Sequence, residues 1–222
     1  VGSYATGSIS PLLHLDFAPT KEIGPGSQDF IPEGNTEKAR ALLDQARSTC
    51  PNTVNKLTTA GLKIDVRKSD DLGSTAFLVN EALGKIGIPV IWNEIANDYI
   101  ATVRQPSKQS DFSSAGWFAD WPKASAVIPE IYLAKGEFNL TQNETDEKYK
   151  AFAAKVEKAR KTLDSKARSK LWKELDADAS RNFWHLTTHF GKSQIIWGSA
   201  VQNVFQWDAF SAPAFGKIWI KK

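Results

Sequence analysis

Ser113-Ser114-Ala115-Gly116-Trp117-Phe118-Ala119-Asp120-Trp121-Pro122-Lys123-Ala124-Ser125 is the stretch of this 222-residue chain best equipped for chemistry. A strand-like run enters a tight aromatic turn, and a single acid, Asp120, stands between Trp117 and Trp121. A carboxylate shielded from water by indoles acts strongly on a nearby cation, because the local dielectric falls below that of bulk water. The same acid has a plainer use, capping a helix that begins near Ala124 while the tryptophans pack. The residues alone leave both uses open.

Other candidate chemistry is thinner. His185 and His189 are four apart, which is a zinc spacing on a helix. The alternation around them predicts a strand instead, where four residues span about 13 Å, too far to share one ion. No metal site is assigned. There is no Gly-x-Ser-x-Gly elbow, and Gly191-Lys192-Ser193 lacks the upstream glycine of a phosphate loop. Asp70-Asp71 and Asp176/Asp178 fall at predicted element ends, where capping and solvation account for them. No catalytic residue and no cofactor are assigned. Asn139-Leu140-Thr141 and Asn143-Glu144-Thr145 match the N-glycosylation acceptor and mark an exposed loop.

Composition narrows the class. Apolar residues make up 41% and charged residues 24%, ordinary for a globular chain of this length with a core of its own. Eight tryptophans suit either a large core or an aromatic-lined binding surface. The net charge is +3, and the basic run from Lys155 to Lys173 is interleaved with Glu157, Asp164 and Glu174. That pattern describes a solvated helix face and not a nucleic-acid surface. Cys50, the single cysteine, excludes an intramolecular disulfide and a Cys-rich zinc site. No run of 18 apolar residues and no signal-peptide pattern occurs.

The elements that must position the turn follow from periodicity. Residues 1–34 are rich in Pro, Gly and Ser and are expected to be irregular, anchored by Leu12, Leu13, Leu15 and Phe17. A helix is predicted from Asn35 or Thr36 to about Arg47, with Ala39, Leu42, Leu43 and Ala46 on one face. Leu62, Ile64 and Val66 alternate with Lys63, Asp65 and Arg67 as a strand with one wet face. A helix from about Asp71 to Ile86 stops at Gly87, and Ile88 to Trp92 form the next strand. Helix, strand, helix, strand implies a parallel pair with a crossover helix. Further on, short helices are expected at Asp98–Val103 and Ser125–Leu133, and a strand at Phe112–Phe118. Long helices follow at Asp146–Thr162 and Ser165–Ala179, the second capped by Ser165. Period two then sets in from Phe183, with a hairpin turn at Gly191-Lys192 and a last strand near Ile218–Ile220. The class is α/β with mixed strand directions, the sheet flanked by helices.

Gly116-Trp117-x-Ala119-Asp120-Trp121-Pro122, followed by Val127-Ile128-Pro129, resembles the signature segment of the family 5 extracellular solute-binding proteins. Glu37-Lys38-Ala39-Arg40-Ala41-Leu42-Leu43, Gly87-Ile88-x-Val90, the stretch from Leu163-Asp164 through Trp172 to Leu175-Asp176, and Trp197-Gly198-Ser199-Ala200-Val201-Gln202-Asn203 resemble other family segments in the same order. The wording around Asp120 is most similar to actinobacterial members. Pro122-Lys123-Ala124 departs from relatives that carry an acidic or small residue followed by proline, which alters the rim of the implied pocket.

The resemblance implies a type II periplasmic-binding-protein-like fold of two lobes, with this chain as the carboxy-terminal lobe. Residues 1–200 would form that lobe, and residues 201–222 would return to a missing amino-terminal lobe. It implies a binding component of an ABC importer that captures oligopeptides or dipeptides by hinge closure and hands them to a membrane permease. Such proteins are extracellular or held in the cell envelope, often by a lipid anchor. By the same resemblance Asp120 pairs with the peptide's ammonium group and Trp117 lines a side-chain pocket. Gly116, Trp121, Phe138 and Asn139 complete the expected ligand-binding set. Alternatives are a family member for a nickel chelate, a sugar or an antibiotic, and a lobe reused as a secreted protein-interaction module.

Overall fold

The computed structural model describes residues 3–4, 34–69, 73–117, 119–121, 123–186, 189–190, 195–207 and 212–221. The irregular anchoring segment before residue 34, Asp70-Asp71, Phe118, Pro122, the Gly191-Lys192 turn and Phe210 lie outside the described residues, apart from Ser3 and Tyr4. In chain order the elements are β1 (Ser3–Tyr4), α1 (Thr36–Thr49), α2 (Pro51–Ala60), β2 (Leu62–Arg67), α3 (Gly73–Gly84) and β3 (Val90–Ile95). Then come α4 (Tyr99–Val103), β4 (Phe112–Ser113), α5 (Ile128–Tyr132), α6 (Tyr149–Lys161) and α7 (Ser165–Arg181). β5 (His189–Phe190), β6 (Val201–Gln202), β7 (Gln206–Trp207), β8 (Ala212–Pro213) and β9 (Trp219–Ile220) close the chain. Two compact units divide it: residues 31–116, and residues 1–30 with 117–222.

Residues 31–116 build a three-stranded parallel sheet in the order β3-β2-β4. Leu62 stands opposite Val90 and Arg67 opposite Ile95, so the expected parallel pair with α3 as its crossover is present. Gly61, at φ 81, makes the tight entry to β2. A Cβ there would lie 2.9 Å from the Pro89 carbonyl oxygen, so both the backbone angle and the close approach demand glycine. Gly87 ends the crossover at φ 77. Asn35 caps α1 by accepting from the Lys38 amide at 2.8 Å.

Several expectations for this unit need correction. Asp65 is not on a wet face but is fully buried. Its carboxylate takes Asn93 Nδ2, Ser110 Oγ and the Ser110 amide, each at 2.7 Å, so burial is met by donors. On the apolar stripe of α1, Ala39, Leu43 and Ala46 are half-buried and Leu42 is 57% exposed, while Arg40 of the same helix donates to the Lys85 carbonyl. α2 itself was not foreseen: Pro51 at its first turn starts a helix of Thr, Asn and Val, residues of low helix propensity. The strand expected over Phe112–Phe118 is confined to Phe112–Ser113.

In the other unit, α6 and α7 pack side by side. Phe152, Val156 and Ala159 on α6 and Trp172, Leu175 and Ala179 on α7 are buried at spacings of three and four, and with Ile128 and Tyr132 of α5 they form the core. Lys155 spans the helices to Asp178 at 2.6 Å. The cap of α7 is Asp164 and not Ser165: its Oδ1 accepts from the Ala167 amide at 2.8 Å. Asp176, expected to be solvated, is buried. Period two also fails at its start, because Phe183 takes a left-handed φ of 57 and the chain turns back onto α7. Trp184 and His185 therefore fold inward. β5 pairs with β1, and the remaining antiparallel pairs are β6 with β9 and β7 with β8. Antiparallel strands thus occur only in these two-stranded pairings among the described residues.

Candidate functional site

Trp117 is the first residue of its unit, and it is fixed at both ends. Its indole N–H donates to the Ala126 carbonyl at 2.7 Å, and its ring leans on Phe138 at 5.0 Å and 50°. Together with Ala119 it packs on the core cluster of α5, α6 and α7. Two residues of the turn thus point inward. Trp121 does the opposite: it is 46% exposed, while its N–H donates to Ser125 Oγ at 3.0 Å. The Lys123 amide closes the turn onto the Trp121 carbonyl at 2.7 Å.

Asp120 is exposed and not shielded by its neighbours. The short 3₁₀ turn at Ala124–Ala126 has Lys123 at its N-cap position and no side-chain capping bond, so the capping role open to Asp120 is not taken up. Among the described residues its carboxylate has no hydrogen-bond or ion-pair partner. A free acid on a turn whose indoles are both held is therefore the geometry on offer.

Phe138 and Asn139 arrive on the loop after α5. Gly136 makes this loop possible, because a Cβ there would collide with the carbonyl oxygens of Pro129 and Glu130. The Phe138 amide then donates to the Glu130 carbonyl at 3.1 Å, which aims the ring toward Trp117. Asn139 is spent inside the loop. Its Oδ1 accepts from the Thr141 amide at 3.0 Å and from Thr141 Oγ at 2.7 Å, and its Nδ2 donates to Glu144 Oε1 at 3.0 Å. Its part is to hold the loop, a local side-chain turn of the Asx kind. Asn143 is buried, so the second glycosylation match is not an exposed acceptor. Gly116 closes the other unit at an ordinary φ, with open space where a Cβ would stand. Sequence reasoning missed Gly136, though a glycine just after a helix is a standing signal for close backbone approach.

Beside this turn lies an aromatic cluster. Tyr132 meets Phe152, Trp184 and His185 at ring distances of 5.7, 6.2 and 5.3 Å. Its hydroxyl sits 2.5 Å from His185 Nδ1. Burial pushes the His185 pKa down to about 4, so the ring is neutral at ordinary pH. Trp184 Nε1 donates to Asp146 Oδ2 at 2.9 Å, and the Lys148 amide donates to Oδ1 at 2.8 Å. Those bonds hold the Asp146 carboxyl below its usual range. His185 is therefore a packing group in a turn and not half of a strand pair with His189.

No protein-family model and no curated protein sequence matches the chain. Solved structures do match, and what they share with this chain is the fold, a parallel α/β sheet flanked by helices. The oligopeptide binding protein 2 of clavulanic acid biosynthesis aligns at a TM-score of 0.67 and 20% identity, over 100% of this chain and 39% of that one. Haemophilus influenzae OppA, solved with the peptide RPPGFSPFR, aligns at 0.65 and 18%, over 93% and 40%. The periplasmic binding protein DppA of Helicobacter pylori, solved with the peptide STSA, aligns at 0.62 and 18%, over 100% and 40%. At these identities the likeness is one of fold. The chain spans about two-fifths of the length of each of these solved chains.

Proposed function

We propose that this chain is the carboxy-terminal lobe of an exported solute-binding protein that captures peptides between two lobes for an ABC importer. The observation that carries the reading is Asp120. Its carboxylate stands exposed and uncapped on the turn that fixes Trp117 against Phe138. Support comes from a fold shared along 93–100% of the chain with an oligopeptide binding protein and with two proteins solved with bound peptides. The reading is one of capture, not catalysis. Residues 201–222 return to an amino-terminal lobe outside this sequence, a permease receives the closed form, and the protein works outside the cytoplasm, held in the envelope through a lipid anchor.

Energetics make the second lobe essential to this reading. An exposed ion pair in water contributes only about 0–1 kcal/mol, so Asp120 on the open lobe holds an ammonium group weakly. Covered by a second surface, the same contact becomes a charge-assisted hydrogen bond worth about 1.5–3 kcal/mol. Closure is then favoured by ligand, because ligand binds the closed form better. Peptide main chain is read by strand-like hydrogen bonds that need no particular side chain.

The test is calorimetry on the longer, two-lobed protein with a free-amine peptide and its acetylated counterpart. Asp120→Ala should weaken the free-amine peptide by about tenfold or more and leave the acetylated one nearly unchanged. Equal losses for both peptides would refute the role of Asp120.

A further inference from the structure

A hollow of about 350 Å³ opens in the unit of residues 117–222, lined by Lys123, Ser125, Arg160, Arg168 and Trp172. Three cations border it and, among the described residues, no acid does. They come from three places. Arg160 closes α6, Arg168 lies in the first turn of α7, and Lys123 sits between the aromatic turn and the 3₁₀ turn. The short link from Lys161 to Ser165 brings the two arginines to one end of the helix pair.

The Ser125 hydroxyl is a donor too. Ser125 Oγ accepts from Trp121 Nε1 at 3.0 Å, which leaves its own hydrogen to donate. Trp172, 1% exposed, completes the lining. Arg168 is held in place by its Nη1, which donates to the Thr162 and Leu163 carbonyls at 3.3 Å, leaving the rest of its planar fork for a ligand. Glu157 pairs with Arg160 Nη1 at 2.8 Å from outside the hollow and is half exposed.

We propose that this hollow binds a phosphate-type oxyanion, as the free ion or as the terminal phosphate of a lipid head group. Guanidinium forks, an ammonium and a hydroxyl are a donor set that tetrahedral oxyanions take, and the charge is of the right sign. The site is independent of the peptide-capture reading, because it uses neither Asp120 nor the Trp117–Phe138 pair.

The experiment has two arms, run on the full chain with folding checked by circular dichroism. One titrates inorganic phosphate by calorimetry. The other co-sediments the protein with phosphatidylcholine vesicles, with and without phosphatidic acid. Binding of inorganic phosphate supports the free ion as ligand; binding only to vesicles containing phosphatidic acid supports the head group. In either case Lys123→Gln with Arg160→Gln should weaken binding about tenfold or more, one charge-assisted contact being worth at least that. Glu157→Gln, which removes a competing acid without touching the hollow, should tighten it. Arg168 is left intact because it also holds the turn between the helices. Binding in neither arm, or binding that ignores both variants, overturns the proposal.

Discussion

Trp117 donates its indole N–H to the carbonyl of Ala126, a fully buried residue, at 2.7 Å, and by that bond the aromatic turn is tied to the segment that leads into α5. Trp117→Phe keeps a ring against Phe138 but strands a carbonyl. The expected cost is about 1–3 kcal/mol of stability, read by urea denaturation. The ring pair itself should show in a double-mutant cycle of Trp117→Ala and Phe138→Ala. A coupling of about 0.5–1.5 kcal/mol is expected for rings in this geometry. A coupling near zero would mean the two rings are held separately by the core.

His185 sets an acid response with a defined window. Its folded-state pKa is about 4 against an ordinary 6.5, so between those values the unfolded chain binds the extra proton. Its contribution to stability is complete above about pH 6.5, falls as the pH drops toward 4, and is gone below. His185→Gln should flatten that part of the stability profile while leaving lower pH alone. Asp111 governs a lower window. Burial would raise its pKa, but the Lys63 amide and the Lys56 ammonium, each at 2.9 Å, outweigh it and hold it below 3.8. Its contribution is present above pH 3.8 and is lost as the pH falls further. A profile unchanged by His185→Gln between pH 6.5 and 4 would place the acid response elsewhere.

Asp65 holds the sheet of residues 31–116 to the loop before β4. Asn93 on β3 and Ser110 supply its three short bonds, and Tyr99 Oη lies 3.0 Å from its carbonyl oxygen. Asp65→Ala would leave the part-buried donors of Asn93 and Ser110 without their acceptor at once. The expected loss is at least about 3 kcal/mol, two charge-assisted bonds at about 1.5 kcal/mol or more each. Asp65→Asn retains one acceptor oxygen and should cost less than the alanine. A loss under about 1 kcal/mol for Asp65→Ala would show that water replaces the carboxylate.

What was legible in the sequence, and what was not, divides along physical lines. The helix–strand–helix–strand run from Thr36 to Ile95 was legible because apolar periods and Gly87 state it locally. α2 was not, since Thr, Asn and Val argue against a helix and only packing and Pro51 argue for one. Asp65 and Asp176 were read as wet because an acid normally is, and only the tertiary donors around Asp65 reverse its assignment. His185 was read as a strand residue from alternation, which the left-handed Phe183 interrupts just before it. In the candidate site, the turn from Gly116 to Ser125 stood out by its residues. That Asp120 caps nothing, and that Asn139 is spent on Thr141 and Glu144, depends on which neighbours come within reach, and spacing does not encode that.

Gly136 and Gly116 differ in what a side chain would meet. Gly136 has no room for a side chain, since a Cβ would run into the Pro129 and Glu130 carbonyl oxygens. Gly136→Ala must therefore shift the loop that carries Phe138, and an overpacked site of this kind costs about 1–3 kcal/mol. Gly116 meets nothing within 4 Å at its Cβ position and has no positive φ, so Gly116→Ala should stay within about 0.5 kcal/mol of the parent. Stability alone thus gives no reason for glycine at 116. Under the peptide-capture reading the reason is close approach of the ligand backbone, and Gly116→Ala should weaken peptide binding in the two-lobed protein while its melting curve stays put. Binding that is also unchanged would remove Gly116 from the ligand-contacting set and leave Trp117 and Asp120 to carry it.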